Sequence, residues 1–173
     1  MRPSPEQDAR YAAAAAEHGA ALQRLARAAE ANPERRRDLL QDMHVALWRS
    51  FAAFDGRCSL RTWVYRVAHN VAASHVDRER RTHQGAVALD EIEHLADARS
   101  VSDEAEESEA LARLHALIRQ LKSPDRQVMM LYLEELDAAA IAEITGLSSG
   151  AVATRISRLK SQLARLFHET ANG

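Results

Sequence analysis

The chain has 173 residues, which is enough for one ordinary domain or two small ones. Its one cysteine, Cys58, excludes an internal disulfide and a cysteine zinc site, and it fits a reducing cytoplasm. No apolar run approaches the roughly 20 residues that span a bilayer, and the first residues lack the apolar core of a signal peptide. Scarce proline and glycine with abundant alanine and leucine predict an all-α protein.

Two helices are predicted before residue 54, the first an alanine-rich helix over residues 9–31. Asn32, Pro33 and Glu34 predict the start of the second, because an asparagine cap, a first-turn proline and an acid all suit a helix N-terminus. It runs to about Ala53, and its predicted buried residues are Leu39, Leu40, Met43, Leu47 and Phe51. Its outer face carries Asp38, Gln41, Asp42, Val45 and Arg49. That face is either a solvated surface or a docking surface for a basic partner helix.

Residues 54–81 hold a loop, FDGRCS, followed by one long helix with a basic tip. Helical spacing predicts a buried stripe of Leu60, Trp63, Val64, Val67 and Val71. The other face carries Arg61, Tyr65, Arg66, His69, Asn70 and Ser74. Five of the eight aromatic residues lie between Trp48 and Tyr65. They either fill a helical core or, together with the cations, bind an unstacked nucleic-acid strand, whose bases stack on aromatic rings.

The net charge of −2 conceals an uneven distribution of charge along the chain. Residues 61–81 hold five arginines against two acids, whereas residues 82–109 hold nine acids against one arginine. The acidic segment has few large apolar residues, which predicts a flexible linker, with one short helix near Leu89 to Ala96. Because the positive and negative charges are concentrated in different segments, a basic segment can bind nucleic acid although the chain is acidic overall.

The part of the chain after the linker predicts four helices. Leu111, Leu114, Leu117, Ile118 and Leu121 mark the first of them. Ser123 and Pro124 predict the cap and first turn of the second, which buries Val128, Leu131, Tyr132 and Leu136. Asp137 caps a third helix, AAAIAEIT, with Ile141 and Ile144 inward. After a turn at Gly146, Ser148 or Ser149 caps the fourth, which buries Val152, Ile156, Leu159 and Leu163.

The third and fourth of these helices with their glycine turn predict a helix-turn-helix, although a plain helical hairpin would also explain the apolar spacing. The fourth helix exposes short polar residues and cations near its start, which suits the major groove of DNA. Arg155, Arg158 and Lys160 are expected to contact phosphates. Ala153, Thr154 and Ser157 are placed towards base edges.

The two parts in this order resemble the extracytoplasmic-function sigma factors of bacterial RNA polymerase. The first part, RRDLLQDMHVALWRSFAAFDGRCSLRTWVYRVAHNVAASHVDRERR, is similar to the N-terminal sigma domain. It follows the family's pattern of an acidic D-L-x-Q-(D/E) helix, an F-x-G loop, an (F/L)-x-T-W-L segment, here with Val64 in the last position, and an A-x-N helix that ends in arginines. The second, LKSPDRQVMMLYLEELDAAAIAEITGLSSGAVATRISRLKSQL, is similar to the C-terminal sigma domain with its G-x-V-x-x-R-x-x-R recognition helix. The resemblance implies sigma region 2 over residues 9–81, an acidic linker over 82–109 and sigma region 4 over 110–168.

The resemblance also implies roles for individual residues. Polymerase docking would fall to Asp38, Gln41 and Asp42. The minus-ten promoter element would be contacted by Phe54, Arg61, Arg66, Asn70, Arg78, Arg80 and Arg81, with Phe54 and Asn70 around a flipped base. The minus-thirty-five element would be contacted by Ser149, Ala153, Thr154, Arg155, Ser157, Arg158 and Lys160. The implied partners are core RNA polymerase, promoter DNA and an anti-sigma factor.

Two alternatives use fewer of these features. A DNA-binding regulator that never meets polymerase would use only the helix-turn-helix, and a sigma mimic would bind a regulatory protein without supporting transcription. The eight histidines complete no recognisable metal motif, so no metal, cofactor, catalytic residue or enzyme activity is expected. The chain also departs from the family pattern, because Ala138, Ala139 and Ala140 stand where polar and acidic residues are usual, and Ala151 and Ala153 replace longer side chains. These alanines predict weak direct base contacts and more dependence on DNA shape.

Overall fold

The computed structural model describes residues 4–83 and 109–172, which form seven α-helices and one 3-10 helix. The helices are α1 (Pro5–Ala29), α2 (Pro33–Ser50), the 3-10 helix Phe51–Ala53, α3 (Leu60–His83), α4 (Glu109–Arg119), α5 (Ser123–Leu133), α6 (Ala138–Thr145) and α7 (Ser149–Ala171). We call α1–α3 the N-terminal block and α4–α7 the C-terminal block. The predicted all-α fold with two helical parts is confirmed.

Several helix ends differ from their predicted positions. The first helix begins at Pro5, not at residue 9, because the Ser4 side chain accepts a hydrogen bond from the Gln7 amide at 3.1 Å. The second ends at Ser50, and the next three residues tighten into the 3-10 turn. Ser123 was wrongly predicted as a cap, since it is the first residue of α5 and makes no capping hydrogen bond. Residues 82, 83 and 109 of the predicted linker are helical, and the rest, with its predicted short helix, lies outside the described residues.

The N-terminal block is a three-helix bundle in which each helix packs against the other two. Its fully buried large side chains are Leu22, Leu39, Met43, Leu47, Phe51 and Val64. The α2 residues among them recur every four positions, as the sequence predicted for a buried helix face. Of the stripe predicted on α3, only Val64 is fully buried, and the other four side chains are half-buried against the same core.

A buried carboxylate joins all three helices of this block. Glu30 ends α1, and its side chain accepts from the Asn32 amide at 2.8 Å and lies 2.9 Å from His75 Nε2 on α3. Arg35 of α2 lies 3.3 Å away. Although burial by itself opposes ionisation, these partners lower the pKa of Glu30 below its usual value. The charge is thereby kept inside the bundle with hydrogen-bond partners.

The C-terminal block is organised around α7, which packs against α4, α5 and α6. The core of α5–α7 is formed by Val128, Leu131, Leu136, Ile141, Ile144 and Val152. Arg126 ties α4 to α5, because its guanidinium donates to the carbonyl of Arg119 and, at 3.2 Å, to that of Leu121. These carbonyls lie where α4 ends, so the arginine satisfies groups that the helix itself leaves unpaired.

The two blocks pack directly against each other. One apolar cluster contains Leu25 and Ala28 of α1 together with Leu117, Ile118 and Met130 of the C-terminal block. α1 contacts α4, and α3 contacts α5 and α6. A cavity of about 30 Å³ remains at this seam, and its lining includes Leu25, His69, Arg126 and Met130. The sequence left open whether the blocks lie together or apart, and the structure shows them together.

Candidate nucleic-acid interface

The acidic face of α2 is fully available to a partner. Asp38, Gln41 and Asp42 are all exposed, and Val45, with 40% of its surface exposed, continues the row by one turn. The face is oriented by the start of the helix, where the Asn32 side chain accepts from the amides of Glu34 and Arg35 at 3.0 Å. Two carboxylates beside an exposed valine suit a partner helix that offers both cations and apolar surface.

The loop before α3 presents an aromatic residue whose ring is only half-buried. Phe54 packs edge-on against Phe51 at 6.0 Å and against Trp63 at 5.2 Å between ring centroids. The Arg10 guanidinium lies 5.6 Å from the centre of the Phe54 ring. Trp63 in turn donates to the Ser50 hydroxyl at 2.9 Å. Phe51 and Trp63 therefore serve to pack the loop against the helices, whereas Phe54 lies at the edge of the cluster with the Arg10 guanidinium beside it.

The outer face of α3 is divided between solvent and the C-terminal block. Asn70, Arg78, Arg80 and Arg81 are exposed. Tyr65 and His69, predicted on this same open face, are instead buried, and the prediction was wrong for both because the C-terminal block covers that part of the helix. The sequence shows one polar face, and only the packing of the blocks separates its exposed part from its buried part.

The helix-turn-helix has the predicted local geometry. Asp137 caps α6 by accepting from the Ala140 amide at 2.8 Å, and Ser148 caps α7 by accepting from the Ala151 amide at 3.1 Å. Between them Gly146 adopts φ 79°, in the left-handed region where glycine is favoured. Ile141 and Val152 are fully buried at the crossing of the two helices. This packing fixes the direction in which α7 projects.

The face of α7 that was predicted to contact DNA lies on the surface. The exposed residues are Ser149, Ala153, Thr154, Ser157, Arg158 and Lys160, and Arg155 is half-buried. Asp125, in the first turn of α5, binds Arg155 Nη1 at 2.6 Å and Arg158 Nη2 at 3.0 Å. The Lys160 ammonium lies 5.5 Å from the centre of the Tyr132 ring. Arg155 and Arg158 are thus paired with one carboxylate of α5, and Lys160 lies over an aromatic ring of the same helix.

One polar residue that sequence reasoning missed is Glu134, just after α5. Arg24 of α1 binds its two carboxylate oxygens at 2.6 and 2.7 Å, and the Tyr65 hydroxyl donates to it at 3.2 Å. Burial opposes the charge of Glu134, but the hydrogen bonds from Arg24 lower its pKa below the usual value. Burial, with the charge of Glu134 as a second cause, raises the pKa of Tyr65 to about 12. No local pattern in the sequence distinguishes Glu134 from the neighbouring exposed Glu135.

Two other kinds of functional feature, a metal site and a membrane-spanning helix, are not found among the described residues. Residues 4–83 and 109–172 contain no group of three or more histidine, cysteine, aspartate or glutamate side chains that could hold a metal ion. None of the helices in this part of the chain is both long and apolar enough to cross a membrane.

Comparison with known proteins agrees with the two-part architecture. Residues 15–82 match the family model for sigma-70 region 2, and residues 111–163 match the model for sigma-70 region 4. A helix with an acidic face, an aromatic loop, a basic helix and a helix-turn-helix therefore occur here in the order of the two sigma-70 regions. The chain belongs more specifically to the extracytoplasmic-function sigma factors of RNA polymerase.

Three curated relatives illustrate this similarity. The factor SigG of Mycobacterium tuberculosis is 31% identical over 150 residues, which cover 73% of this chain but 40% of SigG. CnrH of Cupriavidus metallidurans is 30% identical over 159 residues, covering 87% of this chain and 83% of CnrH. SigM of Mycobacterium tuberculosis is 29% identical and covers 86% and 72%, respectively. The chain thus spans less than half the length of SigG but most of the length of the other two.

Two solved structures share the fold. CnrH in complex with the cytosolic domain of CnrY has a TM-score of 0.64 at 24% identity, covering 92% of this chain and 88% of CnrH. The sigma factor RpoE in complex with the anti-sigma factor NepR from Bartonella quintana has a TM-score of 0.68 at 20% identity, covering 86% and 90%. The likeness extends over both helical blocks and confirms the architecture.

Proposed function

We propose that the chain binds core RNA polymerase and directs it to promoters, with the N-terminal block at the minus-ten element and the C-terminal block at the minus-thirty-five element. The observation that favours this function is the exposed acidic face of α2, in the same chain as a helix-turn-helix. A regulator that acts without polymerase has no use for that face. The chain itself needs no catalytic group for this function, and it would act in the cytoplasm, where polymerase is found.

The proposed steps depend on binding and not on covalent chemistry. Asp38, Gln41 and Asp42 dock on a basic surface of polymerase. Phe54 and Asn70 receive an unstacked base, and the energy of unstacking, about a few kcal/mol per base, is recovered by stacking and hydrogen bonds. The DNA backbone is held by the arginines of α3, namely Arg61, Arg66, Arg78, Arg80 and Arg81. The C-terminal block fixes the distance to the upstream element through the exposed face of α7.

Run-off transcription tests this function with purified chain, bacterial core polymerase and fragmented DNA from the native host. We expect discrete transcripts with the wild type and at least a tenfold loss with Asp38→Ala/Asp42→Ala, because two charge-assisted contacts are removed at a partner surface. The matched control is Glu17→Ala/Glu34→Ala, which removes the same charge from exposed acids elsewhere in the N-terminal block. Transcripts that survive in the docking variant would refute the assigned surface. DNA binding without any transcripts would identify a plain regulator, and absence of both would favour a sigma mimic.

The role of Lys160 in phosphate binding gives a separate prediction for the C-terminal block. Lys160→Gln is expected to reduce the slope of log affinity against log salt by about 0.9 for a promoter duplex, since one phosphate contact is lost. Fluorescence anisotropy with the promoter found by transcription measures this slope. Arg165→Gln is the control, because Arg165 is also an exposed cation of α7 but lies beyond the predicted recognition residues. Equal slopes for wild type and Lys160→Gln would remove Lys160 from the interface.

An anti-sigma protein is the proposed regulatory partner, because the structurally similar factor RpoE was solved in complex with the anti-sigma factor NepR. Such a partner would cover surfaces of both blocks and prevent polymerase and DNA from binding. Tagged chain purified from the native bacterium should retain it in a stoichiometric complex, and the partner added back should abolish run-off transcripts. A retained protein that leaves transcription unchanged would not be this partner.

A further inference from the structure

The first turns of α1 are bonded to the end of α2 and so lie beside the loop that carries Phe54. The Gln7 side-chain amide donates to the Trp48 carbonyl at 2.9 Å, and the Trp48 indole donates to the Asp8 carboxylate at 2.8 Å. The paired residues are 41 and 40 positions apart, and α1 also packs against the 3-10 helix that follows α2. These contacts fix the direction of the α1 N-terminus and place Arg10, less than one turn after Asp8, at the loop.

Arg10 contacts both the backbone and the ring of Phe54. Its Nη1 donates to the Phe54 carbonyl at 3.3 Å, and its Cζ lies 5.6 Å from the centre of the ring. The Arg10 side chain is 38% exposed and Phe54 is half-buried, so a ligand in solvent can reach both. Beyond Phe54 the chain is held at the start of α3, where the Ser59 hydroxyl accepts from the Thr62 amide at 3.0 Å. Phe54 is therefore held between α1 and α3 with a guanidinium group beside it.

The other terminal nitrogen of Arg10 is paired with Glu6, one turn earlier in α1. The Glu6 side chain is 73% exposed, and an exposed pair four positions apart on one helix is a weak interaction in water. A phosphate is a stronger partner, because a guanidinium group has five N–H donors in a planar fork that matches two phosphate oxygens. Arg10 can thus exchange Glu6 for a phosphate and keep its bond to Phe54.

Arg10 lies outside the part of the chain that matches sigma-70 region 2, since that match begins at residue 15. The family resemblance assigned no role to it, and the promoter contacts that the resemblance implied begin at Phe54. A single strand is bound by aromatic rings that stack on its bases and by cations that hold its phosphates. Phe54 supplies such a ring, and Arg10 places a cation against it.

We propose that Arg10 is a further DNA-binding residue, which holds the backbone phosphate of the single-stranded nucleotide whose base stacks on Phe54. Gln7 and Asp8 are positioning residues, because they act on this site by fixing the start of α1. The inference rests on the proposed role of Phe54 in receiving an unstacked base, and it adds the group that binds the phosphate of the same nucleotide.

The phosphate contact is measured by fluorescence anisotropy with the full chain and a labelled single strand of mixed DNA sequence, about 20 nucleotides long. Arg10→Gln is expected to weaken binding about threefold and to reduce the slope of log affinity against log salt by about 0.7, the value for one phosphate of a single strand. Phe54→Ala should weaken binding about tenfold with an unchanged slope, since it removes stacking and no charge. Glu6→Gln should tighten binding, because it removes the carboxylate that competes with the phosphate.

Two further variants separate a phosphate contact from a purely structural role of Arg10. Arg10→Lys keeps the charge and should retain the wild-type slope. Arg37→Gln is the matched control with an unchanged slope, because it removes the same charge from an exposed residue near the other end of α2. Circular dichroism should show the same helix content in all variants. A wild-type slope for Arg10→Gln, or a slope for Arg10→Lys as low as that for Arg10→Gln, would overturn the inference, as would a wild-type chain that does not bind the strand.

Run-off transcription distinguishes this inference from the proposed function. If the wild type gives transcripts and Arg10→Gln leaves the salt slope unchanged, Arg10 is not a binding residue although the sigma function is correct. If Arg10→Gln reduces the slope and the wild type gives no transcripts with polymerase, the phosphate site is present and the sigma function is wrong.

Discussion

Leu159→Ala is expected to lower the free energy of unfolding by about 2–5 kcal/mol, the range for removing a large side chain from a close-packed core. Leu159 of α7 is fully buried, and it belongs to the apolar cluster that extends from the C-terminal block into the N-terminal block. The loss combines the transfer free energy of the deleted atoms with the cavity they leave. Urea denaturation followed by circular dichroism measures it.

The control for this substitution is Leu133→Ala, where the same atoms are removed from a side chain that is 41% exposed. We expect that change to remain within about 0.5 kcal/mol of the wild type, because little apolar surface returns to water. A similar loss for the two variants would contradict the assignment of Leu159 to the core. Because the cluster crosses the seam, fluorescence probes placed in either block should also report the same midpoint for the wild type.

Acid is expected to destabilise the chain through His69. Burial lowers the pKa of His69 to about 4, against an ordinary value of 6.5, although the charge of Glu134 acts in the opposite direction. Between pH 6.5 and 4 the unfolded chain therefore binds a proton that the folded chain does not, and stability falls as pH falls. Between pH 6.5 and pH 5 this residue is expected to lower the free energy of unfolding by about 2 kcal/mol. Above about pH 7.5, one unit beyond the ordinary histidine pKa, the contribution of His69 is nearly constant.

His69→Gln isolates this effect, because burial also lowers the pKa of His44, which therefore contributes a loss of stability in the same direction. In urea denaturation, the free energy of unfolding should change less between pH 6.5 and pH 5 for His69→Gln than for the wild type. The groups facing His69 are the Tyr65 ring, the Glu134 carboxylate and Arg126, which lines the same cavity. The pKa of Glu134 is lowered, so this carboxylate adds its own loss of stability only at lower pH. Identical pH dependence in the two proteins would contradict a buried neutral His69.

Much of the candidate site could be predicted because it depends on neighbours in the chain. The caps of α2, α6 and α7 are hydrogen bonds between residues two or three positions apart, so Asn32, Asp137 and Ser148 identify them from the sequence. The acidic face of α2 and the exposed face of α7 follow from helical spacing. The assigned roles of these faces in binding polymerase and DNA stay predictions.

Other features were missed because they depend on surroundings that spacing cannot show. Tyr65 and His69 have the pattern of an open polar face, yet both are buried once another block lies over them. Asp125 has the pattern of an ordinary first-turn acid, yet it binds two cations of the recognition helix. In each case a distant element supplies the contact.

The sequence alone determined the helices, the two-part order, the helix-turn-helix and the family resemblance, because caps, turns and amphipathic spacing act over a few residues. Only the tertiary structure decided how the two parts meet. Arg24 and Glu134 are 110 positions apart, and Arg61 and Glu134 are 73 apart. Contacts at such separations arise from the packing of whole helices, and no local pattern specifies which polar residues of one block will face those of the other.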